Sequence, residues 1–284
     1  GSTKPQTRET VENIKRKAPL HLISQDRLVT LNEYQTHIDK NFGNMVTSSR
    51  CVDNNTFIDG HMRYLTEDLG IEYPNLESRI MYNHLRMSTS TQFNNIYIYG
   101  VPKVVTSTST TVLTNFLAPS QKELIRNDIA ERKMVSHEVV LMDPVYIAAN
   151  LGLASAAETL TPQVVENTKL RIKKLPRNLR DSDSIIGDVV NILLSYFDNV
   201  DCDLGQLVEL TQIGASMLQV EGVESIETIR TDVDLQTPGL SLAFWNPVYT
   251  TDIQTTNQNY QLPYYKFPYM YDPYNLFKKI EIVT

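Results

Sequence analysis

This chain has two cysteines among 284 residues, a single tryptophan and five histidines. Cys51 and Cys202 lie far apart and form no CxxC pair. Reduced thiols inside a cell are the simplest expectation, with one disulfide as the other possibility. The histidines (His21, His37, His61, His84 and His137) show no HxxxH, HExxH or CxxH spacing, so no metal site is expected. No GxGxxG, phosphate loop or GxSxG occurs. Cofactor-dependent chemistry and nucleophile-elbow hydrolysis therefore have no support, and no cofactor or catalytic residue is expected. No apolar run reaches the roughly 20 residues that a membrane span needs, and the start lacks the pattern of a signal peptide. The net charge of -7 argues against nucleic-acid binding by bulk electrostatics. The chain begins Gly1-Ser2, without methionine, which reads as an expressed fragment or processed product.

What is present is pattern. Apolar content of 41% and charged content of 21% are those of a globular protein. The strongest pattern runs from Asp181 to Asp232. Ile185, Ile186, Val189, Val190, Leu193, Leu194 and Phe197 form one wide apolar stripe at the helical period. Asp183 or Ser184 is the expected N-cap, and Asp181 reads as a helix-start residue rather than as half of a catalytic pair. A second helix is predicted from Asp203, with Gln206 three residues on. Its expected buried face is Leu207, Leu210, Ile213 or Gly214, Met217 and Leu218. Gly222 suits a left-handed helix stop, and Val223 to Ile229 reads as a strand.

Thr30 to Glu33 has the form of a capping box, opening a helix through Tyr34, Ile38 and Phe42. Further helices are expected at 10–17, 62–69, 76–85 and from Ser120, capped by Ser120 and Glu123. Phe93 to Val101, Glu138 to Met142 and Val145 to Leu153 read as strands, and Thr106 to Thr111 as an exposed loop. Thr168 to Lys174 alternates apolar and basic residues. Lys169, Arg171, Lys173, Lys174, Arg177 and Arg180 are therefore expected on the exposed side of an edge strand, where lysine discourages stray pairing. Glu221, Glu224 and Glu227 read as a solvated acidic edge. The whole predicts an α+β fold: a mixed sheet with helices packed on one face, plus an extended aromatic C-terminal arm. Three parts are expected: 1–90, 91–235 with the tandem helices, and 236–284.

In that last part, Pro-Tyr steps recur every five residues, at Pro263-Tyr264, Pro268-Tyr269 and Pro273-Tyr274. Proline rules out a continuous helix here. An exposed aromatic segment is a sticky patch, so something is expected to cover it. Tyr260, Tyr264, Tyr265, Phe267, Tyr269, Tyr271 and Tyr274 are the candidate subunit-interface residues. Packing within the subunit, packing between subunits and sugar binding remain open for them.

Three stretches carry a resemblance. KRKAPLHLISQDRLVTLNEYQTHI holds Ala18, Pro19, Arg27, Val29, Thr30 and Tyr34 in the order of Baseplate-J-type proteins. HEVVLMDPVYIAANLGL, with Pro144 and Tyr146, is similar to that family's strand pair. Tyr196-Phe197, Leu204-Gly205 and Gly222-Val223 resemble its helix pair and turn. The similarity covers residues 11–46 and 91–235, and the insertion between Val46 and Phe93 departs from shorter members. The resemblance implies a non-enzymatic subunit of a contractile phage tail baseplate, located in the virion. It would form the wedge ring around the hub through dimeric self-contacts, with other baseplate wedge proteins as partners, and without nucleic acid or membrane. The alternative is a tail-associated module that recognises a host surface or carbohydrate.

Overall fold

The computed structural model describes residues 27–63, 95–103, 116–155, 158, 161–198, 202–247 and 253–283. The expected helices at 10–17 and 76–85, residues 64–69 of another and the loop at 106–111 lie outside them. So do Ala18, Pro19, His21 and His84.

Thr30 caps the first helix, α1 (Leu31–Asn41), through a reciprocal capping box. The Glu33 carboxylate accepts from the Thr30 amide at 2.8 Å, and the Thr30 hydroxyl accepts from Glu33 N–H. The helix buries Tyr34 and Ile38 against the sheet formed by β1 (Val46–Asp53), β2 (Asn95–Pro102) and β3 (Glu138–Met142), in the order β1-β2-β3. Between β1 and β2 stands α2 (Asn54–Arg63). The β1–β2 pairing is antiparallel over Val46 to Asp53, so this sheet joins residues on both sides of position 90. Next, α3 (Pro119–Ala130) has its N-cap at Ala118, two residues before the expected Ser120, because Pro119 is pre-set for the first helical position. Gln121, not Glu123, closes the cap by accepting from Ala118 N–H at 2.9 Å.

The strands at 138–142 and 145–151 separate at Asp143-Pro144 into different sheets. Strand β3 runs parallel to β2. Strand β4 (Val145–Leu151) joins a sheet of order β10-β9-β4-β12, with β9 (Leu242–Trp245), β10 (Gln254–Thr256) and β12 (Lys266–Met270). A short helix, α4 (Pro162–Glu166), leads into β5 (Thr168–Lys174).

The remaining four-stranded sheet has the order β13-β5-β7-β8. It adds β7 (Val223–Arg230), β8 (Leu235–Pro238) and β13 (Ile280–Val283) to β5. Helices α5 (Ser182–Tyr196) and α6 (Leu210–Leu218) belong to the same core as one face of this sheet. That face offers Thr168, Leu170 and Ile172, each fully buried. Ile185, Ile186, Val189, Val190 and Leu193 of α5 answer them. Each such aliphatic side chain contributes on the order of 1.5–3 kcal/mol of burial. The N-cap of α5 is Asp181, two residues before the earliest expected position.

Two expectations here are corrected. Strand β5 is interior, because β13 arrives from more than 100 residues away and pairs with it in parallel. Its cations are also not free. Arg171 donates to Glu281 at 2.9 Å and Glu227 at 3.2 Å, and Lys173 pairs with Glu224 at 3.1 Å. Glu224, Glu227 and Glu281 are rungs of a charge ladder across the sheet, while Glu221 is exposed as expected. The second helix begins at Leu210 rather than Asp203. Asp203 to Gln206 is a turn closed by Gln206 accepting from Asp203 N–H at 2.9 Å. Leu207–Val208 (β6) then pairs with β11 (Tyr260–Gln261). Leu210, Ile213 and Met217 are buried as expected, whereas Leu207 and Leu218 are exposed.

Candidate interaction surface

Strand β12 is KFPYM, buried at all five positions. Its neighbour β4 is paired in parallel, with Lys266 opposite Val145 and Met270 opposite Ala149. Tyr265 C=O accepts from Val145 N–H, and Tyr271 N–H donates to Ala149 C=O, both at 2.9 Å. Odd positions therefore point their backbone groups at β4, and Pro268 turns its missing donor away, as an edge strand allows. The outer edge is covered: Gly205 N–H donates to Lys266 C=O at 3.0 Å. Gly205 has φ of 65°, and a Cβ there would stand 2.6 Å from the Tyr264 Cα, so only glycine fits.

The seven aromatic residues thus divide. Tyr265, Phe267 and Tyr269 are in the chain's own core, where side chains cannot meet another subunit. Phe267 and Tyr269 both stand edge-on to Tyr146 of β4, at 6.0 and 6.4 Å between ring centres. Tyr260, Tyr264 and Tyr271 are half-buried. Tyr260 stacks on Phe244 at 5.1 Å, and its hydroxyl donates to the Gln254 side chain at 2.5 Å. Tyr264 donates to Thr56 C=O at 2.9 Å and packs edge-on to Tyr99, tying the C-terminal segment to α2 and β2. Burial pushes both phenols above their usual range. Tyr271 meets Trp245 at 5.1 Å. Tyr274 alone of the seven is exposed, at 69%, on a 3-10 turn over Pro273–Lys279 that also exposes Phe277.

Several described groups able to do chemistry are held in structural contacts. No cluster of three or more His, Cys, Asp or Glu side chains that would hold a metal occurs among the described residues. Cys51 and Cys202 are buried free thiols, and burial raises the Cys51 thiol, which suppresses the reactive thiolate. Burial pushes Tyr34 up to about 12, and its hydroxyl lies 3.0 Å from His137 Nδ1. His37 Nε2 is 2.6 Å from Asp128, a tie between α1 and α3. Arg230, buried on β7, binds Glu158 at 2.6 Å and Asp232 at 2.7 Å. No described helix is long and apolar enough to cross a membrane.

Two surface features escaped the sequence reading. One is a groove of about 410 Å³ between α5 and α6, floored by Ile192, Tyr196 and Ile213. The other is the β5–α5 turn, which holds Leu179 at 99% exposure. A leucine outside the helical stripe was the available signal for the turn; the groove had none, since its lining alternates with the buried stripe.

No family model and no curated protein matches the chain. A chain in the six-fold symmetrised cryo-EM structure of the anti-feeding prophage (AFP) baseplate does share its fold. The TM-score is 0.51 at 12% identity, over 94% of this chain and 43% of that one. The match therefore spans less than half the length of that chain, and this α+β architecture is one found in a baseplate.

Proposed function

We propose that this chain is a structural subunit of a contractile tail baseplate, acting in the virion by assembly and not by catalysis. The observation that carries the reading is the fold shared with a baseplate chain over 94% of these residues. Two features of the molecule support it. The tandem helices lie with a sheet that is stiffened on its outer side by the Arg171, Glu227 and Glu281 ladder. Among the described residues, the tyrosines of the C-terminal segment mostly brace the fold internally, with Tyr274 the exposed one. At the finer level, the chain corresponds to the C-terminal half of the baseplate wedge subunit of T-even contractile-tailed phages, gene product six. It forms the wedge ring by contacts with its own copies and with other wedge proteins. The test is to mix the purified chain with the remaining wedge components of its own tail. Co-purification at fixed stoichiometry is expected. Failure to bind any of them, or itself, would overturn the proposal.

A further inference from the structure

The turn between β5 and α5 is Leu175-Pro176-Arg177-Asn178-Leu179-Arg180. An exposed leucine on a loose loop means little, since single apolar side chains are common on surfaces. This loop is not loose. Leu175 N–H donates to Gly222 C=O at 2.9 Å, and Asn178 N–H to Leu175 C=O at 3.2 Å. The Asn178 side chain accepts from Arg180 N–H at 2.7 Å. The Arg180 guanidinium donates to Glu221 C=O and to Ser184, each at 3.2 Å, and forms an ion pair with Asp188. Lys174 closes the turn by donating to Arg180 C=O at 2.5 Å. Within it Arg177 is held at φ of 69°, a left-handed conformation that residues other than glycine uncommonly adopt. Strain of this kind persists only where the surroundings over-determine it, and it gathers at functional positions. The result is a rigid turn that presents Leu179 wholly to water, with Leu175 and the guanidinium of Arg177 exposed beside it. Arg177 has no ion-pair partner among the described residues.

The opposite end of α5 offers the complement. The groove there has an apolar floor of Ile192, Tyr196 and Ile213 and a neutral polar wall of Ser195, Gln212 and Ser216. Glu209 stands beside the groove, its N–H donating to the Tyr196 hydroxyl at 2.8 Å. Burial and the Glu209 carboxylate both push the Tyr196 phenol upward. At 410 Å³ the groove is within the range of roughly 300–1,000 Å³ that serves binding sites. It has room for a leucine side chain with its neighbours.

We propose that the β5–α5 turn of one copy seats Leu179 in the α5–α6 groove of the next copy, with Arg177 against Glu209 beside it. The inference rests on the assembly reading above and names its surface. Turn and groove stand at opposite ends of a 15-residue helix, about 20 Å apart. A two-fold contact would seat both turns in both grooves of one closed pair, whereas a head-to-tail contact uses one turn and one groove per pair. The head-to-tail form generates rings when its rotation closes and filaments when it does not, and masses beyond the dimer in the unaltered chain would identify it. The rigid turn lowers the ordering cost of binding, as a pre-organised anchor should.

The experiment is sedimentation of the intact 284-residue chain and of two variants, Leu179→Asp and Ser216→Trp, alone and mixed. Both positions are at least partly exposed, and circular dichroism checks that each variant folds. Each variant alone should lose association by on the order of 30-fold, the effect of deleting one anchor. Mixed, they should form dimers and go no further, because one sound turn and one sound groove remain per pair. Arg177→Glu should weaken association of the otherwise unaltered chain, less so at high salt. A wild-type chain that associates while both variants associate equally well would overturn this contact and leave the assembly reading standing. A wild-type chain that stays monomeric at all concentrations would overturn the contact and the self-association together.

Discussion

The C-terminal Tyr/Pro segment and the β5–α5 turn contrast sharply. The first is rich in interface-type residues and lies mostly inside the molecule. The second has ordinary composition, yet holds a leucine wholly in water. What separates them is their partners. Residues 266–270 have β4 along one side and the Gly205 loop on the other, so their rings fill the chain's own core. The turn has partners for its backbone and none for its apolar tip. Residue type records what a surface is suited to do, and topology decides whether it is a surface at all.

The largest effect should come from breaking the buried side of this contrast. Phe267→Ala removes a fully buried ring beside Tyr146, and about 3–5 kcal/mol of stability should disappear in urea denaturation. Tyr274→Ala, seven residues on and exposed, should change the same measurement by no more than about 0.5 kcal/mol. Equal effects would mean that the segment is not divided as described.

How much of this was legible beforehand follows from the range of each interaction. The capping box at Thr30 and the stripe from Ile185 to Leu193 are local, and both were readable from spacing alone. Strand β5 was recognisable from alternation, but its interior position depends on β13, 110 residues further along. The start of α6 was misplaced because Leu207–Val208 is drawn into a ladder with Tyr260–Gln261. The Asp203 and Gln206 pair looks like a helix cap and closes a turn instead. Of the candidate interface residues, only Tyr274 is fully on the surface, and burial at Tyr265, Phe267 and Tyr269 could not be told from tyrosine content.

Smaller perturbations sharpen the contrast. Gly205→Ala should cost at least about 1–2 kcal/mol from the left-handed backbone alone. The clash with Tyr264 adds to it and loosens the cover over β12. A proteolysis assay should then show earlier cleavage after residue 253, and unchanged protection would argue that Gly205 does not hold that edge. Thr30→Ala, which opens the α1 capping box far from both regions, should cost about 1 kcal/mol by thermal unfolding.

The smallest effect is a pH dependence at His137. Burial, then the charge of Lys133, lowers its folded-state pKa below the ordinary 6.5. The unfolded chain therefore binds the extra proton first. The stability from the neutral ring is complete above about pH 6.5 and declines as pH falls from there through the folded-state value. His137→Gln should flatten the melting temperature between pH 7.5 and 5.5, and an identical slope in both proteins would remove His137 as the source.

The central claim, that this is an assembling subunit, is tested most directly by sedimentation velocity of the intact chain over a dilution series, with its glycan binding measured alongside. The account predicts a mass above that of the monomer at the higher concentrations and no glycan affinity. A monomer at every concentration that binds sugar would contradict it.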